Sequence, residues 1–243
     1  MADARSPRLT GQTAVVTGAS RGIGLAVAQA LATEGARVVM IARGEDTLRR
    51  EAAAIGDRAI PIVCDVGDAD AAVRAVSAII ATFGHAPTIL VNNAGTFPVA
   101  PIDALEPTTL AESLATNIIA PFRFIHAFLP EMRARRSGHV ITIGSTADRA
   151  ALAGNAGYAP GKFGARALHE ILRLETRGSG IRATLISPGP VDTSLWDPID
   201  PDRREGFTAR SEMLQPEAVA NAVIYATTQP VTANVDELRL SRA

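Results

Sequence analysis

Apolar residues in this chain fall into short continuous runs, and between the runs apolar and polar positions recur with helical spacing. Residues 13–17 read as a first strand, and 23–34 as a helix with one apolar face that ends at the left-handed cap residue Gly35. Residues 37–42 and 59–64 form a second and third strand. A helix is expected over 68–83, a fourth strand over 86–91 and, after a long helical region, strands over 139–143 and 182–187. A short terminal strand is expected over 237–240. Most strands are apolar throughout instead of alternating, as required when helices cover both faces of a sheet. Strands and helices in alternation predict right-handed crossovers and a parallel, doubly wound α/β sheet. No internal repeat or low-complexity linker divides the chain, so a single domain over 1–243 is expected.

Chemistry first shows where the first strand meets the first helix, in Thr17-Gly18-Ala19-Ser20-Arg21-Gly22-Ile23-Gly24. Gly18 lets the chain turn sharply, Gly22 lets backbone approach a pyrophosphate, and Gly24 allows close packing of helix on sheet. The helix N-terminus offers unpaired N–H groups and a partial positive charge to phosphates. A glycine cluster carries this meaning only between a strand and a helix, which is its place here.

The spacing Thr-Gly-x-x-x-Gly-x-Gly resembles that of the short-chain dehydrogenase/reductase family, and the resemblance extends over nearly the whole chain. It implies a Rossmann-like fold, a nicotinamide cofactor, and oxidoreduction of a carbonyl or alcohol. The second strand ends in Ala42 where NAD-preferring members carry Asp, and Arg43 follows it. With Arg21 in the glycine turn, two guanidinium groups can clamp a 2′-phosphate, so NADP(H) is expected in preference to NAD(H). By the same resemblance, Asp65 bonds the adenine amino group, the Val66 backbone lies against the ring, and Asn92-Asn93-Ala94-Gly95 passes close under the cofactor ribose. An Asn side chain of that segment pins neighbouring backbone. Asn92, Ala94 and Gly95 are the expected contacts, with Ser20 and Ile23 in the glycine turn. Pro188-Gly189-Pro190-Val191-Asp192-Thr193 resembles the segment beside the nicotinamide, with the Val191 backbone and the Thr193 hydroxyl as ligands and Pro188 and Gly189 adjoining.

Tyr158-Ala159-Pro160-Gly161-Lys162 carries the proton chemistry. Residues four apart on a helix share a face. Tyrosine ordinarily titrates near 10; an ammonium and an oxidised nicotinamide nearby favour the phenolate, while burial opposes it, so the positive charges must prevail for Tyr158 to act as a base. Lys162 is the single lysine among 24 basic residues, and Tyr158 is one of two tyrosines. A compact ammonium reaches ribose hydroxyls and a phenol in a way a planar guanidinium does not. Ser145, after the fifth strand, can hold a substrate carbonyl against Tyr158. Asn117, a poor helix former placed mid-helix, completes by resemblance an Asn-Ser-Tyr-Lys tetrad and holds a water linking Lys162 to solvent.

The formal net charge of −1 and the scattered arginines and acids give no footprint for nucleic acid or an anionic membrane. One cysteine, Cys64, and no metal-ligand spacing suit a reducing cytoplasm, and no metal is expected. Residues 1–10 lack the apolar stretch of an export leader, and no run is long enough to span a membrane. The expected protein is a cytoplasmic NADP(H)-dependent carbonyl reductase or alcohol dehydrogenase. The alternatives are an NADP(H)-binding redox sensor without turnover and a family epimerase or dehydratase. Residues 194–215 form the expected substrate loop, with Phe97, Leu152, Leu195 and Trp196 as candidate pocket walls. The family resemblance further implies a homodimer or homotetramer. The carboxyl end, 233–240, departs from the glycine-rich close of the best-known acyl-carrier-protein ketoreductases.

Overall fold

A computed structural model describes residues 6–243. Of the amino-terminal segment read above for an export leader, residues 1–5 lie outside the described residues. Seven parallel strands form one sheet in the order β3-β2-β1-β4-β5-β6-β7: β1 (Thr13–Thr17), β2 (Arg37–Ala42), β3 (Ala59–Val63), β4 (Ile89–Asn92), β5 (Gly138–Ile143), β6 (Ile181–Pro188) and β7 (Glu237–Leu240). The helices are α1 (Gly22–Thr33), α2 (Glu45–Ile55), α3 (Ala69–Phe83), α4 (Pro107–Leu114), α5 (Ala120–Arg135), α6 (Ala159–Glu175) and α7 (Pro216–Thr227).

Alternate residues of each strand feed opposite cores. Ala14 and Val16 of β1 join one core with residues of α1 and α7, while Val15 joins the other with residues of α3 and α5. Burial on both faces is why the strands read as unbroken apolar runs. The strand order reverses between β1 and β4, and at such a switch point the loops leaving the strands' carboxyl ends diverge and open a crevice.

Boundaries depart from expectation in three places. β4 begins at Ile89, not at residue 86: Arg135 caps the Ala86 and Pro87 carbonyls at 2.7 and 3.2 Å, so those residues close the end of α5 instead of entering the ladder. The helix 45–55 between β2 and β3 carries only Leu48 and Ala52 as buried positions, too thin a stripe to stand out in sequence. The long helical region is α4 and α5 joined by a π turn over Ala115–Ile119, which places Asn117 at its centre.

Two histidines sit inside the molecule. His139 pairs through Nε2 with Thr184 at 2.8 Å, and His169 through Nδ1 with Thr142 at 3.1 Å. Burial pushes His139 down to about 3 and His169 down to about 4, from an ordinary value near 6.5. The unfolded chain therefore binds protons that the folded one refuses once pH drops below 6.5, and folding weakens as acidity rises. At pH 5 the loss is roughly 2 kcal/mol for each histidine. Thermal melts at pH 7.5 and 5 should show it, and in the His139→Gln/His169→Gln protein the drop should shrink; an undiminished drop would place the acid sensitivity elsewhere.

Candidate active site

The crevice at the switch point is a cleft of about 580 Å³. Its floor is the turn from β1 into α1. Gly18 has φ +68 and Gly22 φ +55, a region other residues rarely adopt. Arg21 caps α1 without any side-chain hydrogen bond to the first turn, so the N–H groups there remain for a ligand. A Cβ on Gly24 would lie 2.2 Å from the Gly18 carbonyl oxygen, so close packing of α1 under the turn depends on its missing side chain. Ser20, Arg21, Gly22 and Ile23 line the cleft.

At one end the cleft is walled by the tips of β2 and β3. Ala42 and Arg43 line it, with Asp65 and Val66 opposite. Asp65 accepts a hydrogen bond from the Gly67 N–H at 2.9 Å and stands 3.6 Å from the Arg43 guanidinium, both side chains being largely in solvent. Gly44 and Thr47, at the start of α2, also face this end. They went unread in the sequence because α2 did.

The Asn-Asn pair divides its work differently from expectation. Asn92 is the last residue of β4, buried, with neither side-chain atom hydrogen-bonded among the described residues, and it does not line the cleft. Its neighbour Asn93, already past the strand, lines the cleft and donates from Nδ2 to the Thr17 carbonyl at 2.8 Å, pinning the glycine turn. Strand alternation is the reason: Asn92 keeps to the pleat and points away from the turn, whereas Asn93 is free to rotate towards it. Ala94 and Gly95 line the cleft as expected, as do Pro188, Gly189, Val191 and Thr193 on the opposite side.

The proton-handling groups converge above this floor. Tyr158 caps α6 and Lys162 lies one turn on, with Nζ 5.7 Å from the Tyr158 ring centroid. Lys162 is buried, and its ammonium donates to the Ile143 carbonyl at 2.9 Å. Ser145 follows β5 as the cap of a short 3-10 turn. Its Oγ accepts from the Ala147 N–H at 3.1 Å, which leaves the hydroxyl proton free to donate. Burial pushes Tyr158 up to about 12, a hydrogen bond from Ser145 pulls the other way, and the Asp148 carboxylate adds to the rise. Burial likewise pushes Lys162 down to about 8. In the protein alone desolvation prevails over the Ser145 hydrogen bond, and the phenol is held in its protonated form.

Asn117 does not line the cleft. It is buried behind Gly95, where a Cβ on that glycine would lie 2.8 Å from Asn117 Oδ1. Its amide is fully engaged: Nδ2 donates to the Thr96 carbonyl at 3.0 Å and to Ser113 Oγ at 2.8 Å, and Oδ1 accepts from the Thr96 N–H at 3.3 Å. The side chain is a strut for the loop after β4. A water held by this residue would have to sit on main-chain atoms of the π turn.

Asp148, unmarked by the sequence reading, is the buried anchor of the Ser145 turn. It accepts from the Ser145 N–H at 3.3 Å and from Ser187 Oγ at 2.5 Å, and pairs with Arg149 at 2.7 Å. Arg149 reaches on to Glu237 of β7 at 2.6 Å. The Ser-x-x-Asp spacing of a capping box was the available signal.

Over the mouth, Phe97 meets the Tyr158 ring edge-on at 4.6 Å between centroids and the Trp196 ring at 5.0 Å. Leu152 and Leu195 complete this end, so all four candidate pocket walls face the cleft. The segment after β6 is held by Trp196 Nε1 donating to the Val191 carbonyl at 3.0 Å and by Arg210, which pairs with Asp192 and Asp197 at 2.9 and 2.5 Å.

The short chain dehydrogenase family model matches residues 12–204. The chain belongs to the short-chain dehydrogenases. An uncharacterised oxidoreductase of Staphylococcus haemolyticus is 35% identical over 231 residues, covering 95% of this chain and 96% of that protein. The D-threitol dehydrogenase of Mycolicibacterium smegmatis is 34% identical over 227 residues, 90% of this chain and 86% of its own length. A metagenomic short-chain oxidoreductase solved in complex with NADP superposes with a TM-score of 0.83 at 32% identity, covering 97% of this chain and 99% of the other. As a short-chain dehydrogenase, this chain is an oxidoreductase with a nicotinamide-binding cleft. Among the described residues no helix is long and apolar enough to cross a membrane.

Proposed function

We propose that this short-chain dehydrogenase reduces a ketone or aldehyde to an alcohol with NADPH, with Tyr158 as the proton donor. The observation that carries the reading is a protonated phenol, a serine hydroxyl bonded to it and a buried ammonium gathered at one end of a cleft shaped for a dinucleotide. The cradle fits that group: the cap of α1 leaves its N–H donors open, and a Cβ on Gly22 would lie 3.0 Å from the Thr193 side chain across the cleft, space that only glycine leaves. Gly18, Ser20, Arg21, Gly22 and Ile23 would hold the phosphates, Arg43 the 2′-phosphate, Asp65 and Val66 the adenine, and Val191 and Thr193 the carboxamide.

When bound, the reduced nicotinamide supplies the hydride. Ser145 holds the carbonyl oxygen through its hydroxyl proton, and Tyr158 gives its own proton to that oxygen. Lys162 steadies the phenolate that remains, and water on the π-turn backbone at Asn117 returns a proton. A phenol held near 12 suits the donating direction; alcohol oxidation requires the positive charge of the oxidised cofactor to favour the phenolate. Ile119, Phe122, Phe163, Ile171 and Leu174 on the π turn, α5 and α6 are apolar and exposed, which supports pairing of these helices in a homo-oligomer.

A panel of carbonyl compounds and alcohols, followed by NADPH absorbance, tests the reaction: net NADPH consumption with ketones is expected, and a protein inert across the panel would leave the sensor reading in its place. The cofactor assignment has its own arm. Ala42→Asp puts a carboxylate at the tip of β2, where it repels a 2′-phosphate and accepts from ribose hydroxyls. The ratio of kcat/KM for NADPH over NADH should fall by about ten-fold or more, the scale of one lost charge-assisted contact. An unchanged ratio would remove the NADP(H) assignment.

A further inference from the structure

At the substrate end of the cleft a buried residue presents a polar side chain that no described residue pairs with. Asn155 is 7% exposed and lines the cleft. Its backbone is fully employed: the carbonyl accepts from the Tyr158 N–H at 3.0 Å and the Ala159 N–H at 2.9 Å, and its N–H donates to the Leu152 carbonyl at 3.2 Å. A bridge to Ala100 clips this loop to the one after β4. The side-chain amide, by contrast, makes no hydrogen bond to any described residue. Its polar atoms keep solvent contact on the cleft side, so a ligand that displaces that water must pair with the amide or leave it unsatisfied.

The surroundings narrow what that something is. Phe97, Leu152, Leu195 and Trp196 give this end apolar walls. The charged side chains lining the cleft are Arg21, Arg43, Asp65 and Lys162. The first three stand at the glycine turn and the tips of β2 and β3, and Lys162 is committed to the Ile143 carbonyl. Among the described residues no charge other than Lys162 stands at the substrate end to meet a carboxylate or phosphate.

We propose that Asn155 is a specificity residue and that the substrate is an uncharged ketone with an aryl or alkyl body carrying a second oxygen, hydroxyl or carbonyl, beside the reacting carbon. Ser145 and Tyr158 take the reacting oxygen, and the Asn155 amide takes the second one. A site built around a polar partner discriminates against the analogue that lacks it, because the buried amide is then left unpaired. The proposal rests on the carbonyl-reductase reading of the cleft.

Trp196 is the only tryptophan of the chain and stands in this wall, so its fluorescence reports occupancy without turnover. With NADP⁺ bound, the probes are 1-phenyl-1,2-propanedione, 1-phenyl-1-propanone, which lacks the second oxygen, and phenylglyoxylate, which adds a charge. The dione should bind about ten-fold more tightly than the monoketone, the effect of one buried hydrogen bond, and phenylglyoxylate more weakly than either. In Asn155→Leu, which keeps the branched shape and heavy-atom count without the polar atoms, the dione should fall to the level of the monoketone while monoketone binding holds. Equal affinity of wild-type protein for dione and monoketone, an undiminished preference in the variant, or strongest binding by phenylglyoxylate would each overturn the proposal. The wild-type comparison needs no variant to fold. Failure of the reductase reading shows separately, as absence of NADPH oxidation with either ketone; NADPH oxidation with no difference between the two ketones sinks only the role of Asn155.

Discussion

Tyr158→Phe is expected to lower kcat for carbonyl reduction by about three orders of magnitude, within the range general acid catalysis contributes, while NADPH binds as before. The substitution removes one oxygen and keeps the ring. The edge-on contact with Phe97 at 4.6 Å survives, so the pocket wall and the start of α6 have no reason to shift. Lys162 keeps its bond to the Ile143 carbonyl, which does not involve the phenol. What disappears is the one proton that Ser145 alone has no means to replace, because the hydroxyl of Ser145 is not linked to the ammonium that stabilises the resulting anion. Steady-state rates and an NADPH fluorescence titration on the same preparation decide it. Normal turnover would end the assignment of Tyr158 as donor, and loss of cofactor binding would show that the hydroxyl also helps to hold the cofactor.

Gly24→Ala should abolish measurable NADPH binding and lower stability by about 2 kcal/mol or more, in the range for overpacking a close contact. Two effects oppose each other at this position. Alanine in a helix interior is favoured over glycine by about 1 kcal/mol. Against that, the new methyl would stand 2.2 Å from the Gly18 carbonyl oxygen and 2.5 Å from Asn93 Nδ2. The first of these is backbone in the turn itself, pinned by the bond from Asn93 to the Thr17 carbonyl. Relief requires moving α1 off the turn, which takes the N–H cradle away from the phosphates. Denaturant unfolding and a cofactor titration measure the two consequences; a variant as stable as the parent with cofactor affinity intact would show that the turn yields at little cost.

The sheet was legible because burial on both faces writes each strand as an apolar run, and the glycine turn because its steric demands leave few residue choices. The same logic explains what was missed. α2 packs only Leu48 and Ala52 into the core, so its apolar stripe is short within a largely polar segment. The π turn at Ala115–Ile119 depends on hydrogen bonds between main-chain atoms, which composition does not record. Asn92 and Asn93 are identical in type, so only the end of the pleat tells which one turns towards Thr17. Asn155 and Asp148 share a further difficulty. Each acquires its meaning from partners, or from the want of them, brought together by loops: Asp148 from Ser187 and Arg149, and Asn155 from walls that include Phe97 far before it and Leu195 and Trp196 far after it. The candidate tetrad was readable from spacing, yet the work of Asn117 was not, since its amide is consumed by Thr96 and Ser113 and leaves no hand for water.

The chain from Ser145 through Asp148 and Arg149 to Glu237 ties the last strand of the sheet to the hydroxyl over the cleft. The tail of the polypeptide is thereby made a brace of the reaction chamber. Peeling β7 from the sheet's edge would take Glu237 with it, leave Arg149 half-tethered, and loosen the serine from the opposite end of the sequence. A fusion or clipping at this terminus reaches the chemistry without touching it.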